Sequence, residues 1–122
     1  MIAPNKNHLL GKWGENLAAT YLQEKGYSII CRNYRSPYGE IDIIAHDQGT
    51  LVFIEVKTRG NHHFGYPEDS ISSKKVVHII NTAQNYLSQY DIDIPWRIDI
   101  LAITRQANQT IEIHHIINAI QQ

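Results

Sequence analysis

The stretch GEIDIIAHDQGTLVFIEVKTR, Gly39 to Arg59, decides how this chain is read. Two apolar runs, 39–46 and 50–58, flank Gln48-Gly49, so the stretch reads as a β-hairpin. In the second run Leu51 and Phe53 point to one face, and Val52, Ile54 and Val56 to the other. A strand apolar on both faces sits in the middle of its sheet. Glu55 and Lys57 share the face of Leu51 and Phe53, and a charge there must be paired, bound to metal or placed in a cleft. If Gln48-Gly49 is a two-residue turn, Asp42 faces Glu55 and Glu40 faces Lys57, all on one side of the sheet. A three-residue loop would move Glu55 off that side, and a bulge would restore it. Glu40 with Lys57 is an ordinary ion pair. Asp42 against Glu55 is a conflict: one carboxylate stays protonated unless a cation intervenes. A hard divalent ion such as Mg²⁺, which takes carboxylate oxygens and keeps several waters, would remove it.

Outward from the hairpin, residues 8–25 read as a helix, with Leu10, Trp13, Leu17 and Tyr21 as its core stripe. Asn7 suits its N-cap and Gly26 its C-terminal stop. A second set, Gly11, Glu15, Ala18 and Leu22, lies opposite that stripe. It is small or apolar except for Glu15, which can therefore point inward toward the sheet. Residues 27–34 read as a strand, 35–38 as a turn and 59–71 as a loop. A helix over 73–90 has Ser72 as its cap and Val76, Ile80, Ala83, Leu87 and Tyr90 as its stripe. Strands at 96–104 and 110–116 complete the order α-β-β-β-α-β-β, a mixed sheet covered by helices.

The 122 residues fit one domain, residues 1–122, with 43% hydrophobic and 19% charged residues, enough to bury a core. The net charge of −1 gives no bulk attraction to nucleic acid or membrane, so an anionic partner must be drawn locally. The lone Cys31 cannot form an internal disulfide and reads as a small buried hydrophobe. No run approaches the ~18 apolar residues of a membrane span, and no signal peptide is visible. The expectation is a cytoplasmic protein without membrane association.

The spacing of Asp42, then Glu55-Val56-Lys57, resembles the PD-(D/E)XK nuclease motif. The blocks GKWGENLAATYLQEKGYSIICRNYR, GEIDIIA, VFIEVKTR, FGYPEDSISSKK, WRIDILAI and IHHIINAI resemble the YraN-like family over almost the whole chain. These are uncharacterised bacterial proteins predicted to be nucleases, with a restriction-endonuclease-like fold similar to that of Holliday-junction resolvases. The resemblance implies a Mg²⁺- or Mn²⁺-dependent endonuclease hydrolysing DNA phosphodiester bonds, on branched or single-stranded structures. It implies Glu15, Asp42, Glu55 and Lys57 as the catalytic set, with Asp42, Glu55 and the Val56 carbonyl on the metal. Two departures stand out: Ile41, not proline, precedes Asp42, and the overall charge is near neutral. A homodimer follows by analogy with the resolvases.

Arg35, Arg59, Lys74 and Lys75 are the candidates for contacting nucleic-acid phosphates. Tyr38, Phe64 and Tyr66 can stack on bases, anchor loops or fill the core. His62-His63 and His114-His115 do not make a metal site, because neighbours on a strand point to opposite faces. Arg97 and Asp99 share a strand face and pair with each other, unless Asp99 supports the site from its neighbouring strand. The competing reading is a non-catalytic nucleic-acid- or protein-binding module that keeps the nuclease fold.

Overall fold

The computed structural model describes residues 6–60 and 71–121. Helix α1 (Lys6–Glu24) leads into strands β1 (Ser28–Ser36), β2 (Gly39–Asp47) and β3 (Thr50–Arg59). Helix α2 (Ser73–Gln89) follows, then β4 (Trp96–Arg105) and β5 (Ile111–Ile116). The five strands lie in the order β1-β2-β3-β4-β5. Only β3 and β4 run parallel, and the chain segment between them contains α2. The α-β-β-β-α-β-β order and mixed sheet are those expected of a restriction-endonuclease-like α/β fold.

The central strand is β3, as its two apolar faces require. Val52 and Ile54 pack with Ile43, Ala45, Leu101 and Ile103 beneath Ala18, Ala19 and Leu22 of α1. Leu51 and Phe53 pack with Ile44 and Ile98 beneath Ile79, Ala83 and Tyr86 of α2. Each fully buried aliphatic or aromatic side chain here contributes ~1.5–3 kcal/mol.

Both helices are rotated from their sequence-based stripes. On α1 the deeply buried residues are Ala18, Ala19 and Leu22, while Trp13, Leu17 and Tyr21 are partly buried. The small residues let the helix approach closely: a Cβ at Gly14 would overlap the Thr58 side chain of β3. The larger side chains straddle the contact instead of entering it. On α2 the buried line is Ile79, Thr82, Ala83 and Tyr86, and Tyr90 is 56% exposed because it caps the helix end.

The helix ends follow local chemistry. Gly26 adopts φ 94°, and the Gly26 and Tyr27 N–H groups donate to the Gln23 and Leu22 carbonyls, closing α1 in a Schellman turn. The Ser72 side chain accepts from the Lys75 N–H at 3.1 Å and caps α2. Asn7 lies inside α1 and does not precede it, because the helix begins at Lys6.

Candidate functional site

The site begins where the sheet becomes irregular. Strands β2 and β3 pair in the expected two-residue-turn register from Asp47–Thr50 to Ile43–Ile54. That pairing stops one residue short of Asp42 and Glu55. Ile41 packs on the α2 side and Ile43 on the α1 side, although residues two apart on a regular strand share a face. The reversal therefore falls at Asp42. Across on β1, Asn33 lies between the pairs Arg32–Ile43 and Tyr34–Ile41 and adopts φ 55°. The expected cross-strand pairs do not form, because the phase reverses just before them. Glu40 bonds Arg35 on β1 at 3.4 Å, not Lys57.

Freed from the ladder, the Asp42 carboxylate accepts the Val56 N–H at 2.7 Å. Val56 itself lines the adjoining cleft together with Asp42. Glu55 is buried and its Oε1 lies 3.4 Å from Lys75 Nζ of α2. Burial pushes the Asp42 carboxyl up to about 6, with Glu15 and Glu40 adding to the rise while the Val56 N–H and Lys75 oppose it. Burial and the Asp42 charge push Glu55 up to about 7 against Lys75 and Lys57. The conflict expected between these carboxylates is present, though they are not cross-strand partners.

Glu15 projects from α1 into the same region, with a side chain 16% exposed. Its Oε1 accepts from Arg32 Nε at 3.3 Å, from an Arg32 terminal nitrogen at 3.2 Å and from Asn33 Nδ2 at 2.9 Å. A further Arg32 bond to Asn16 Oδ1, at 2.7 Å, ties this brace to the helix. Glu15 thus has one fully engaged oxygen and a fixed position.

Two clefts meet at Glu15 and Asp42, and Glu55 lines neither. One, of about 410 Å³, is lined by Glu15, Asp42, Val56, Lys57, Thr58 and Arg59 among others. The second, of about 690 Å³, shares Gly11, Glu15 and Asp42 and continues past Lys12, Arg32 and Arg35. The structure thus brings Glu15, Asp42, Val56, Lys57 and Arg59 to one cleft, whereas Glu55, paired to Lys75, is linked to it through the charge of Asp42. Arg35 borders the second cleft, 80% exposed and paired to Glu40. Lys74 is exposed in the first turn of α2 and lines neither cleft.

The donors suit a hard cation. Among the described residues no three His, Cys, Asp or Glu side chains form a metal cage. Two carboxylates match the habit of Mg²⁺, which binds through few protein oxygens and completes its shell with water.

Sequence reasoning missed Arg32, Asn33 and Asn16, the brace on Glu15. Asn33 carried one usable signal, since Asn is among the residues that tolerate a left-handed conformation. Asp99 is not part of the site. It accepts from Arg97 at 3.0 Å, from the Asn118 N–H at 2.8 Å and lies 2.8 Å from His115 Nε2. His114 is exposed, whereas His115 is part of this network. Tyr38 is half exposed and does not fill the core. Cys31 packs against the α2-side cluster. His62, His63, Phe64 and Tyr66, and most of the expected loop 59–71, lie outside the described residues. Among the described residues no helix is long and apolar enough to cross a membrane.

The chain is similar to many bacterial proteins. The profile of uncharacterised protein family UPF0102 matches residues 14–103. A UPF0102 protein of Persephonella marina is 50% identical over 110 residues, covering 89% of this chain and 90% of that one. A UPF0102 protein of Chlorobium limicola is 47% identical over 118 residues, covering 92% of each. Among solved structures, Pyrococcus furiosus SfsA in complex with Ca²⁺ aligns with 95% of this chain. The identity is 13%, the TM-score is 0.41 and 65% of that chain is spanned, a distance too great to carry an argument.

Proposed function

The chain belongs to the uncharacterised protein family UPF0102, and we propose that it is a metal-dependent endonuclease hydrolysing DNA phosphodiester bonds, on branched or single-stranded structures. The observation that carries this reading is the pair Asp42 and Glu55. Glu55 is buried and Asp42 is partly buried, and both are pushed toward their neutral forms. Among the described residues Lys75 is the one side-chain cation in contact with either. A fold gains nothing from such a pair, whereas a divalent-ion site needs one. The hairpin spacing that resembles the PD-(D/E)XK motif supports the same assignment.

Asp42, Glu55 and the Val56 carbonyl would hold Mg²⁺ or Mn²⁺. When bound, such an ion polarises a phosphate oxygen and lowers the pKa of a bound water. The chain's own residues supply the rest. Lys57, in the cleft with Asp42, offsets negative charge developing on the phosphorus oxygens. Glu15, held by Arg32 and Asn33 through one oxygen, has its other oxygen to orient the attacking water. Water attacks phosphorus, the bond to the leaving oxygen breaks, and that oxygen takes up a proton. Arg59 on the first cleft and Arg35 on the second neutralise flanking phosphates, with Lys74 and Lys75 contributing from α2. We place the protein in the cytoplasm, where such DNA is found, and a homodimer would match a two-fold symmetric junction.

The test is cleavage of duplex, single-stranded, flap and four-way-junction DNA with Mn²⁺, with Mg²⁺ and with EDTA. Cutting that needs metal and disappears in Asp42→Asn and Lys57→Ala is the expected result. Folded protein that binds these DNAs and cuts none would favour a binding module.

A further inference from the structure

Lys75 stands in an awkward position. It lies in the first turn of α2 beside Lys74, and that turn contains no acidic residue. The N-terminal end of a helix carries partial positive charge, so two lysines there are disfavoured. Its backbone N–H is held by the Ser72 cap, which fixes where the side chain starts. The side chain is 39% exposed, yet its ammonium reaches a Glu55 carboxylate only 6% exposed. Glu40 pairs with Arg35 and Glu15 with Arg32, so neither holds Lys75. Among the described residues the one ion pair of the ammonium is therefore with the carboxylate that the proposed function assigns to a metal.

We propose that Lys75 is an exchangeable counter-ion: it occupies Glu55 in the metal-free protein and leaves when a divalent cation takes that oxygen. The inference rests on the nuclease reading, because it takes Glu55 as a ligand. A monovalent ammonium cannot hold its place against a divalent ion sharing both Asp42 and Glu55, and a half-exposed, flexible lysine is free to swing into solvent. The exchange would keep the carboxylates compensated while the site is empty. It would also release a cation beside the cleft only once the site is loaded. Lys57 has no comparable contact with Glu55, so the two lysines would divide the work.

The test compares wild-type protein with Lys75→Met and Lys75→Arg, without DNA. It uses Mn²⁺ titration by calorimetry and thermal melting at pH 8 in EDTA or in saturating Mn²⁺. Lys75→Met, which no longer competes, should bind Mn²⁺ about three- to tenfold more tightly. Lys75→Arg should bind as wild type does. Lys75→Met should also melt below wild type in EDTA and match it in Mn²⁺. Unchanged or weaker Mn²⁺ binding by Lys75→Met, or a melting deficit that Mn²⁺ does not repair, would overturn the exchange and leave the nuclease reading standing. Mn²⁺ binding by neither wild type nor variants would overturn both. Binding by Lys75→Met but not by wild type would support the exchange in its strongest form.

Discussion

The sheet carries buried carboxylates in two places, and the chain treats them in opposite ways. Asp99 on β4 has no exposed surface, yet its pKa is lowered. Burial alone would raise it, but bonds from His115, Arg97 and the Asn118 N–H outweigh that. Arg97 is itself engaged by Asp47 at 3.5 Å and by the Tyr27 hydroxyl at 2.9 Å. Asp42 and Glu55 are less deeply buried, yet their pKa values rise to about 6 and 7. Among the described residues they have between them one backbone N–H and one half-exposed lysine. Depth of burial therefore does not decide the outcome. The number of donors facing the carboxylate does.

The comparison breaks most sharply if one substitution has the same sign at both places. Asp99→Asn should cost about 2–4 kcal/mol in denaturant unfolding, because it removes the buried carboxylate that faces Arg97 and His115 and leaves Arg97 with Asp47 alone. Asp99 has a lowered folded-state pKa, so its contribution is present above the unfolded pKa and lost as pH falls through the lower folded value. The cost of Asp99→Asn should therefore shrink in acid. Gly14→Ala should cost about 1–3 kcal/mol, because the added methyl meets Thr58 and pushes α1, with Glu15, off the sheet. Its cleavage rate should fall further than that of a distant variant of equal stability.

Asp42→Asn should instead stabilise the metal-free protein, by about 1–2 kcal/mol at pH 8, while abolishing cleavage. Here the folded-state pKa is raised, so the wild-type carboxyl's contribution is fully present below the unfolded value of 3.8 and lost as pH rises through about 6. The gain should vanish below that lower value. Melting curves that show no gain at pH 8 would mean that Asp42 is satisfied as Asp99 is. The smallest expected effect is at Arg35→Ala, less than about 0.5 kcal/mol in stability, because its exposed ion pair is screened by solvent. A weaker salt dependence of DNA binding should accompany it.

Much of the fold was legible in local pattern. Alternation along residues 51–56 marked β3 as central, Gln48-Gly49 set the hairpin turn, and Gly26 and Ser72 ended and began helices where expected. The candidate carboxylates were legible as charges in apolar runs. Their partners were not. The pairing of Glu40 with Lys57 failed because the strand phase reverses at Asp42, and a periodic pattern assumes an uninterrupted pleat. On α1 the second set supplied Ala18 and Leu22 to the core, while Trp13 and Leu17 of the named stripe are only partly buried, because close approach at Gly14 and Ala18 favours small side chains.

By itself the sequence determined the elements, their order, the central hairpin and the residues whose charge is out of place. Each follows from local sterics and from apolar periodicity, which act over a few residues. Only the tertiary structure decided that Arg32 and Asn33 hold Glu15, that Lys75 reaches Glu55, and that Asp99 is paid in full by His115 and Arg97. Most of those contacts join residues far apart in the chain. Their distances depend on how helices pack on a twisted sheet, and charge interactions change steeply with distances of that kind.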